Sequence, residues 1–321
     1  MNRRGLLIRA GLVAAGLGGA WWLREHVFWP RPDLEFDPAA ARWSDYARPR
    51  ALTPTTRVRI GGREVTALID SGAQYSVIDR GLFRDLGLTS VVDMPLVAYG
   101  VGGRPQMGKG TTLSLETAGV RVSGLRVAIL DIGPLAGPQG LEAPLILGQD
   151  VLGRAVLEIE ADERRFRLVT PDDHVPAAGL VPVAVRRKRG TLETDVLVEG
   201  ATVKAVVDTG ASAVLALGRE AAEAAGLLDG RPSQAGGSLV LGGTMRARVV
   251  EARSIAFADQ SWRGHPVAVF DDHPLPGFPD ALLGMEAFDG RRLALDLGGG
   301  RLWCSRALDL TIGPPPGRRQ S

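Results

Sequence analysis

The chain has almost no cysteine. Cys304 is the only one among 321 residues, so no intrachain disulfide can form and the chain is not a disulfide scaffold. A lone thiol with no histidine signal beside it is also a poor nucleophile. Its neighbours Leu302-Trp303 suggest a strand, with Cys304 as a small buried side chain. An excess of one charge is missing too. The formal net charge is only +2, which does not call for a nucleic-acid partner. Lysine is confined to Lys109, Lys188 and Lys204, so the pI near 9.0 reflects arginine. The basic run Arg186-Arg187-Lys188-Arg189, followed by Gly190, reads as a hairpin tip between two strands rather than a phosphate-binding patch. Long helical patterns are scarce as well, which turns attention to strands.

What the chain does have is one short phrase written twice. Asp70-Ser71-Gly72-Ala73 returns as Asp208-Thr209-Gly210-Ala211, displaced by 138 residues. Apolar residues lead into each, Ala67-Leu68-Ile69 and Ala205-Val206-Val207, and others follow, Val77-Ile78 and Val214-Leu215. The repetition continues downstream. Leu145-Ile146-Leu147-Gly148 is matched by Leu282-Leu283-Gly284, the two glycines lying 136 apart. Gly148-Gln149-Asp150 then matches Gly284-Met285-Glu286, and Val156 to Glu160 matches Arg292 to Asp296. Glycine-rich stretches also correspond, Gly100-Val101-Gly102-Gly103 in the first half and Leu241-Gly242-Gly243 in the second. The chain is two copies of one unit, and its length is ample for two domains of roughly 100–200 residues.

Alternation of polar and apolar residues predicts strands over Thr56–Ile60 and Val65–Ile69 around a Gly61-Gly62 turn. A second pair is predicted over Thr194–Val198 and Val203–Val207 around Glu199-Gly200. Short helices are predicted at Arg80–Leu86 and Gly218–Ala225, ending at Gly87 and Gly226. Many short strands with few long helices predict an all-β, two-lobed architecture. The expected division is a targeting segment (1–27), a linker or propeptide (28–50), an N-terminal lobe (51–170), a linker (171–180), a C-terminal lobe (181–310) and a disordered tail (311–321). The linker character of the second segment comes from Pro, Arg and Asp with little periodicity between Phe28 and Pro54.

In the first segment, Arg3-Arg4 and Arg9 precede an uncharged stretch from Ala10 to Leu23. Its fourteen residues are short for a membrane span and right for the apolar part of a signal peptide. The paired arginines resemble a twin-arginine export signal, without its polar residue before them or its phenylalanine after. Gly18-Gly19-Ala20 offers a cleavage site. Alternatively the segment stays uncut, with Trp21 and Trp22 anchoring it at the membrane interface. Both readings place the body outside the bacterial cytoplasmic membrane.

An aspartate at a strand end followed by a hydroxyl residue and glycine has a chemical use. Glycine lets the backbone turn sharply and approach another backbone closely. The Ser71 and Thr209 hydroxyls can bond across to the opposite loop's backbone. Two carboxyl groups at hydrogen-bond distance cannot both ionise, so they share a proton and their pKa values split. The ionised partner can then activate water while the protonated one donates to a carbonyl. His265, Asp271, Asp272 and His273 sit among prolines at a spacing that fits no helix face, so no metal site is assigned. Gly100–Gly103 lacks the lysine-serine pair of a phosphate loop, and no cofactor is implied. Met107 and Met245 fit either a cleft lining or core packing.

These motifs resemble the aspartic protease superfamily, and more closely its retropepsin-like bacterial members. The resemblance rests on the apolar-apolar-Asp-[Ser/Thr]-Gly-Ala phrase and the later apolar-apolar-Gly, and it covers roughly residues 50 to 310. It implies two tandem retropepsin-like β-barrel lobes in a bilobal arrangement, with Asp70 and Asp208 as the catalytic pair. Ser71, Gly72, Thr209 and Gly210 would support that pair. Hairpin flaps over the substrate are implied at Tyr99-Gly100-Val101-Gly102-Gly103 and Leu241-Gly242-Gly243. The implied activity is hydrolysis of a polypeptide by one chain acting as a monomer. Gln74 and Ser212 stand where viral relatives are often acidic, and the cysteine pairs of secreted pepsins are absent. Two alternatives remain open: a binding module that keeps the cleft without catalysis, and a protease held latent until the Phe28–Pro54 segment is removed.

Overall fold

A computed structural model of the chain describes residues 31–37, 42–99, 105–240, 243–270 and 279–307. The expected targeting segment, residues 100–104 and 241–242, Asp271 to His273 and the expected disordered tail lie outside the described residues.

The first half contributes β1 (Asp33–Phe36), β2 (Ser44–Asp45), β3 (Thr55–Ile60), β4 (Arg63–Ile69), β5 (Val77–Asp79) and β6 (Val92–Tyr99). It continues with β7 (Pro105–Thr117), β8 (Val120–Leu130), β9 (Leu145–Leu147), β10 (Val156–Glu160) and β11 (Arg165–Val169). The second half contributes β12 (Leu180–Val183), β13 (Arg186–Lys188), β14 (Thr191–Val198), β15 (Ala201–Val207), β16 (Leu215–Gly218) and β17 (Ser233–Val240). After these come β18 (Gly243–Ala252), β19 (Ile255–Phe257), β20 (Gln260–Trp262), β21 (His265–Phe270), β22 (Ala281–Leu283), β23 (Arg292–Asp296) and β24 (Arg301–Ser305).

The architecture is mostly β, and the all-β expectation needs one correction. Helices α1 (Arg80–Asp85), α2 (Gln149–Leu152) and α3 (Arg219–Ala224) each follow a short strand. Asp79 starts α1 by accepting the Gly81 N–H at 2.7 Å, which satisfies one of the unpaired amides of a helix N-terminus.

In the first lobe the order β8-β5-β9-β4-β3-β7 closes into a six-stranded barrel, because β7 also pairs with β8. The second lobe repeats the order as β21-β16-β22-β15-β14-β19 and remains a curled, open sheet. The expected second barrel is therefore incomplete, and the cause is local. The strand equivalent to β7 breaks between β18 and β19 at Arg253-Ser254. There both amides donate to the Glu199 carboxylate, at 2.5 and 3.3 Å, instead of to a neighbouring strand. Glu199 sits in its own hairpin turn with Gly200, at φ of 53° and 88°.

A third, six-stranded sheet, ordered β12-β24-β23-β10-β11-β2, joins the halves. Its centre pairs the matching strands of the two copies antiparallel, Leu157 with Leu295 and Ile159 with Leu293. All four side chains are buried, and each stabilises the junction by about 1.5–3 kcal/mol.

The segment read as a linker or propeptide supplies one strand to the first lobe's sheet and one to the joining sheet. β1 pairs with β8 and β2 with β11. Tyr46 is buried, and Trp43 lies under the guanidinium groups of Arg165 and Arg167. Strands of two and four residues leave too short an alternation to be read from sequence. The second linker is likewise pinned. The His174 side chain is buried there, and its Nε2 meets Glu158 Oε1 at 2.9 Å. The basic run does form a hairpin, β13–β14, with Arg189 and Gly190 at positive φ in the turn. Cys304 is buried on β24.

Candidate active site

Each Asp-[Ser/Thr]-Gly loop is built on a pair of parallel strands. β4 runs beside β9 (Ala67 with Leu145, Ile69 with Leu147), and β15 beside β22 (Ala205 with Ala281, Val207 with Leu283). The ladder's last bonds hold the aspartates themselves. Asp70 N–H donates to Leu147 O at 3.0 Å and Asp208 N–H to Leu283 O at 2.9 Å. The glycine after each strand lets the chain pass beneath the loop. A Cβ on Gly148 would lie 2.7 Å from Ala73 O, and one on Gly284 would lie 2.6 Å from Ala211 O. This is why the apolar-apolar-Gly phrase accompanies the aspartate phrase in both copies.

The loops are locked to each other by four buried hydrogen bonds. Ser71 N–H donates to Thr209 Oγ1 and Thr209 N–H to Ser71 Oγ, both at 2.9 Å. The Ser71 hydroxyl then donates to Val207 O at 3.0 Å, and the Thr209 hydroxyl to Ile69 O at 2.8 Å. Each hydroxyl accepts one bond and donates one, so its capacity is well used and the geometry is fixed.

Asp70 and Asp208 are brought together inside this frame, at 0 % and 1 % exposure. Asp70 Oδ1 accepts the Gly72 and Ala73 amides at 2.8 and 2.9 Å, and Asp208 Oδ1 accepts the Gly210 amide at 2.8 Å. A Cβ on Gly72 would stand 2.7 Å from the Asp208 carboxyl, and one on Gly210 would stand 2.6 Å from that of Asp70. Any larger residue would separate the loops. The Oδ2 atoms have no other donor. Both carboxyl groups are pure acceptors when ionised, so a bond between them would require a proton on one of them.

Burial pushes Asp70 up to about 6, against the downward pull of the Ala73 amide, the Asp208 carboxyl and the Gly72 amide. Burial and the charge of Asp70 hold Asp208 well above the usual carboxylate range. A site of this kind holds one proton between two carboxylates near neutral pH.

Two hairpins carry the expected flap residues. β6–β7 pairs as far as Tyr99 with Pro105, and β17–β18 as far as Val240 with Gly243. The expected flap residues Tyr99 and Gly243 therefore end these strands, while Gly100, Val101, Gly102, Gly103, Leu241 and Gly242 lie outside the described residues. The β17–β18 hairpin reaches across to the 3-10 turn Gly133–Ala136 of the first lobe. Local patterning gives no hint of this crossing. Met107 and Met245 lie on β7 and β18, and His265 lies on β21. The sequence also marks Gln149 only as a step in the repeat. In the structure its side chain reaches the loop of Asp70, and the one visible signal is that the second copy has methionine there.

Residues 56–151 and 194–287 each match the aspartyl protease family. The two segments make up more than half of the chain, which belongs to that family and carries its retropepsin-like domain twice. None of the curated proteins matches the chain. Among solved structures it is similar to a retropepsin-like aspartic protease from Rickettsia conorii. That match has 24% identity over 39% of this chain and 89% of the other, with a TM-score of 0.30. It is also similar to Basic 7S globulin from soybean, with 8% identity over 85% of this chain and 93% of the other and a TM-score of 0.41.

Proposed function

We propose that the chain is an aspartic endopeptidase in which water, activated between Asp70 and Asp208, hydrolyses a bond of a polypeptide lying in the cleft. The observation that carries this reading is the crossed frame of Ser71 and Thr209, with two buried carboxyl groups held at its centre. Burial and the charge of Asp70 hold Asp208 well above the usual carboxylate range, so Asp208 is assigned the role of acid and Asp70 that of base. Asp70 takes a proton from water as the oxygen attacks the carbonyl carbon, and Asp208 gives its proton to the carbonyl oxygen. The diol returns one proton, the amide nitrogen accepts one, and the C–N bond breaks into a carboxyl group and an amine.

The substrate would lie extended, its main chain pairing with backbone of the β6–β7 and β17–β18 hairpins in the manner of an added strand. Residues 99–103 and 241–243 are assigned as flaps. Because one chain supplies both carboxyl groups, a monomer suffices, without a nucleic-acid partner or cofactor. The N-terminal segment is read as an export signal or membrane tether, which would put the body in the periplasm or on the outer face of the cytoplasmic membrane. Among the described residues no helix is long and apolar enough to cross a membrane.

Incubating the protein with an unbiased peptide mixture from acidic to neutral pH, with mass spectrometry of the products, tests the reading. New carboxyl and amine termini at a consistent side-chain pattern support it. Peptides retained uncut by folded protein would instead favour the binding module.

A further inference from the structure

Gln149 is the first residue of α2 and follows the glycine that passes beneath the Asp70 loop. Its side chain is buried, and Nε2 donates to Ser71 O at 3.0 Å. The carbonyl can only accept, which fixes the nitrogen as the atom facing it. Oε1 has no partner, so the amide is held half-satisfied in a place where packing alone would favour an apolar side chain. The second lobe makes that choice: the equivalent residue is Met285, also buried, whose side chain has no N–H or O–H to donate.

The carbonyl that Gln149 engages belongs to the same peptide unit as the Gly72 N–H, which donates to Asp70 Oδ1. A hydrogen bond to a peptide oxygen polarises the unit and strengthens its N–H as a donor. The chain runs from the Gln149 amide through the Ser71–Gly72 peptide to the Asp70 carboxylate. The Thr209–Gly210 peptide, which serves Asp208 in the same way, receives no such donation from Met285.

We propose that Gln149 is a positioning residue that breaks the near-symmetry of the carboxyl pair, making Asp70 the partner that ionises and works as the base. This rests on the reading of the pair as hydrolytic.

The test is the pH profile of kcat/KM for Gln149→Met and Met285→Gln in the full chain, using the best-cleaved member of the peptide mixture. Loss of the donor weakens the Gly72 bond to the anion, so the acidic limb of Gln149→Met moves to higher pH by about half a unit to one unit. That is about a three- to tenfold loss on the limb, with little change on the plateau. Met285→Gln gives Asp208 the missing donor and moves the alkaline limb down. A uniform loss at every pH with both limbs in place would mean that Gln149 only supports the loop, and the proposal would be wrong. Asp70→Asn and Asp208→Asn are run alongside: cleavage that survives them overturns the hydrolytic reading itself. If the wild type does not cleave, carboxyl-carbon NMR titration of Asp70 reads the same shift, and an unchanged titration in Gln149→Met overturns the proposal.

Discussion

Ser71 and Thr209 exchange hydrogen bonds in both directions, the amide of each donating to the hydroxyl of the other at 2.9 Å. They occupy the same place in two copies of one sequence, so the bond pair sits at the junction of the lobes and fixes how close the two aspartates come. Ser71→Ala removes an acceptor from the Thr209 amide and a donor from Val207 O, all of them buried. Thr209→Val does the same to the Ser71 amide and Ile69 O. Each is expected to destabilise the protein by about 2–4 kcal/mol, read as a lower urea midpoint. A change under about 0.5 kcal/mol would show that the loops are held by something else.

The two aspartates are expected to cost stability at neutral pH. A carboxyl whose pKa rises on folding binds its proton more tightly in the folded state. Its contribution is complete below the ordinary value of 3.8 and is lost as the pH climbs through about 6. Asn at either position imitates the protonated acid. Asp70→Asn should therefore melt higher than the wild type at pH 7, by about 2–3 kcal/mol in stability, with the advantage vanishing below about pH 4. A variant that melts lower at both pH values would contradict the raised pKa.

Gly284→Ala puts a methyl group against Ala211 O, which also accepts the Met285 amide at 2.8 Å. The loop bearing Asp208 must then move, at about 1–3 kcal/mol. Peptide cleavage should fall by more than the loss of folded protein accounts for. Equal losses of fold and activity would mean that the glycine serves packing alone.

Removal of residues before Ala51 separates two views of the N-terminal segment. β2, Tyr46 and Trp43 cover Phe166 and β11, and Arg48 Nε donates to Leu141 O at 2.9 Å. The truncated chain should melt lower and gain no activity, since the exposed apolar area costs about 3 kcal/mol. Higher activity after removal would establish the latent protease instead.

What was legible in the sequence was whatever depends on neighbours along the chain. The alternation around Gly61-Gly62 and Glu199-Gly200 marks β3–β4 and β14–β15 to within about three residues, and the duplicated phrases mark both loops. Pairings between distant strands were not legible. β10 pairs with β23 of the other copy, far along the chain, and β1 and β2 likewise pair with strands far along the chain. The open second barrel turns on Glu199 capturing two amides, a side-chain event that no periodicity records. Gln149 was hidden for a similar reason. Its contact crosses from one loop to another, and only its replacement by Met285 in the second copy sets it apart.

The most direct measurement compares peptide cleavage by the full wild-type chain with that by Asp70→Asn and Asp208→Asn at equal concentrations of folded protein. If water is activated between the two carboxyl groups, each single variant loses cleavage by at least about a thousandfold, and the double variant is no worse than either. Cleavage that persists in either single variant would contradict the shared site.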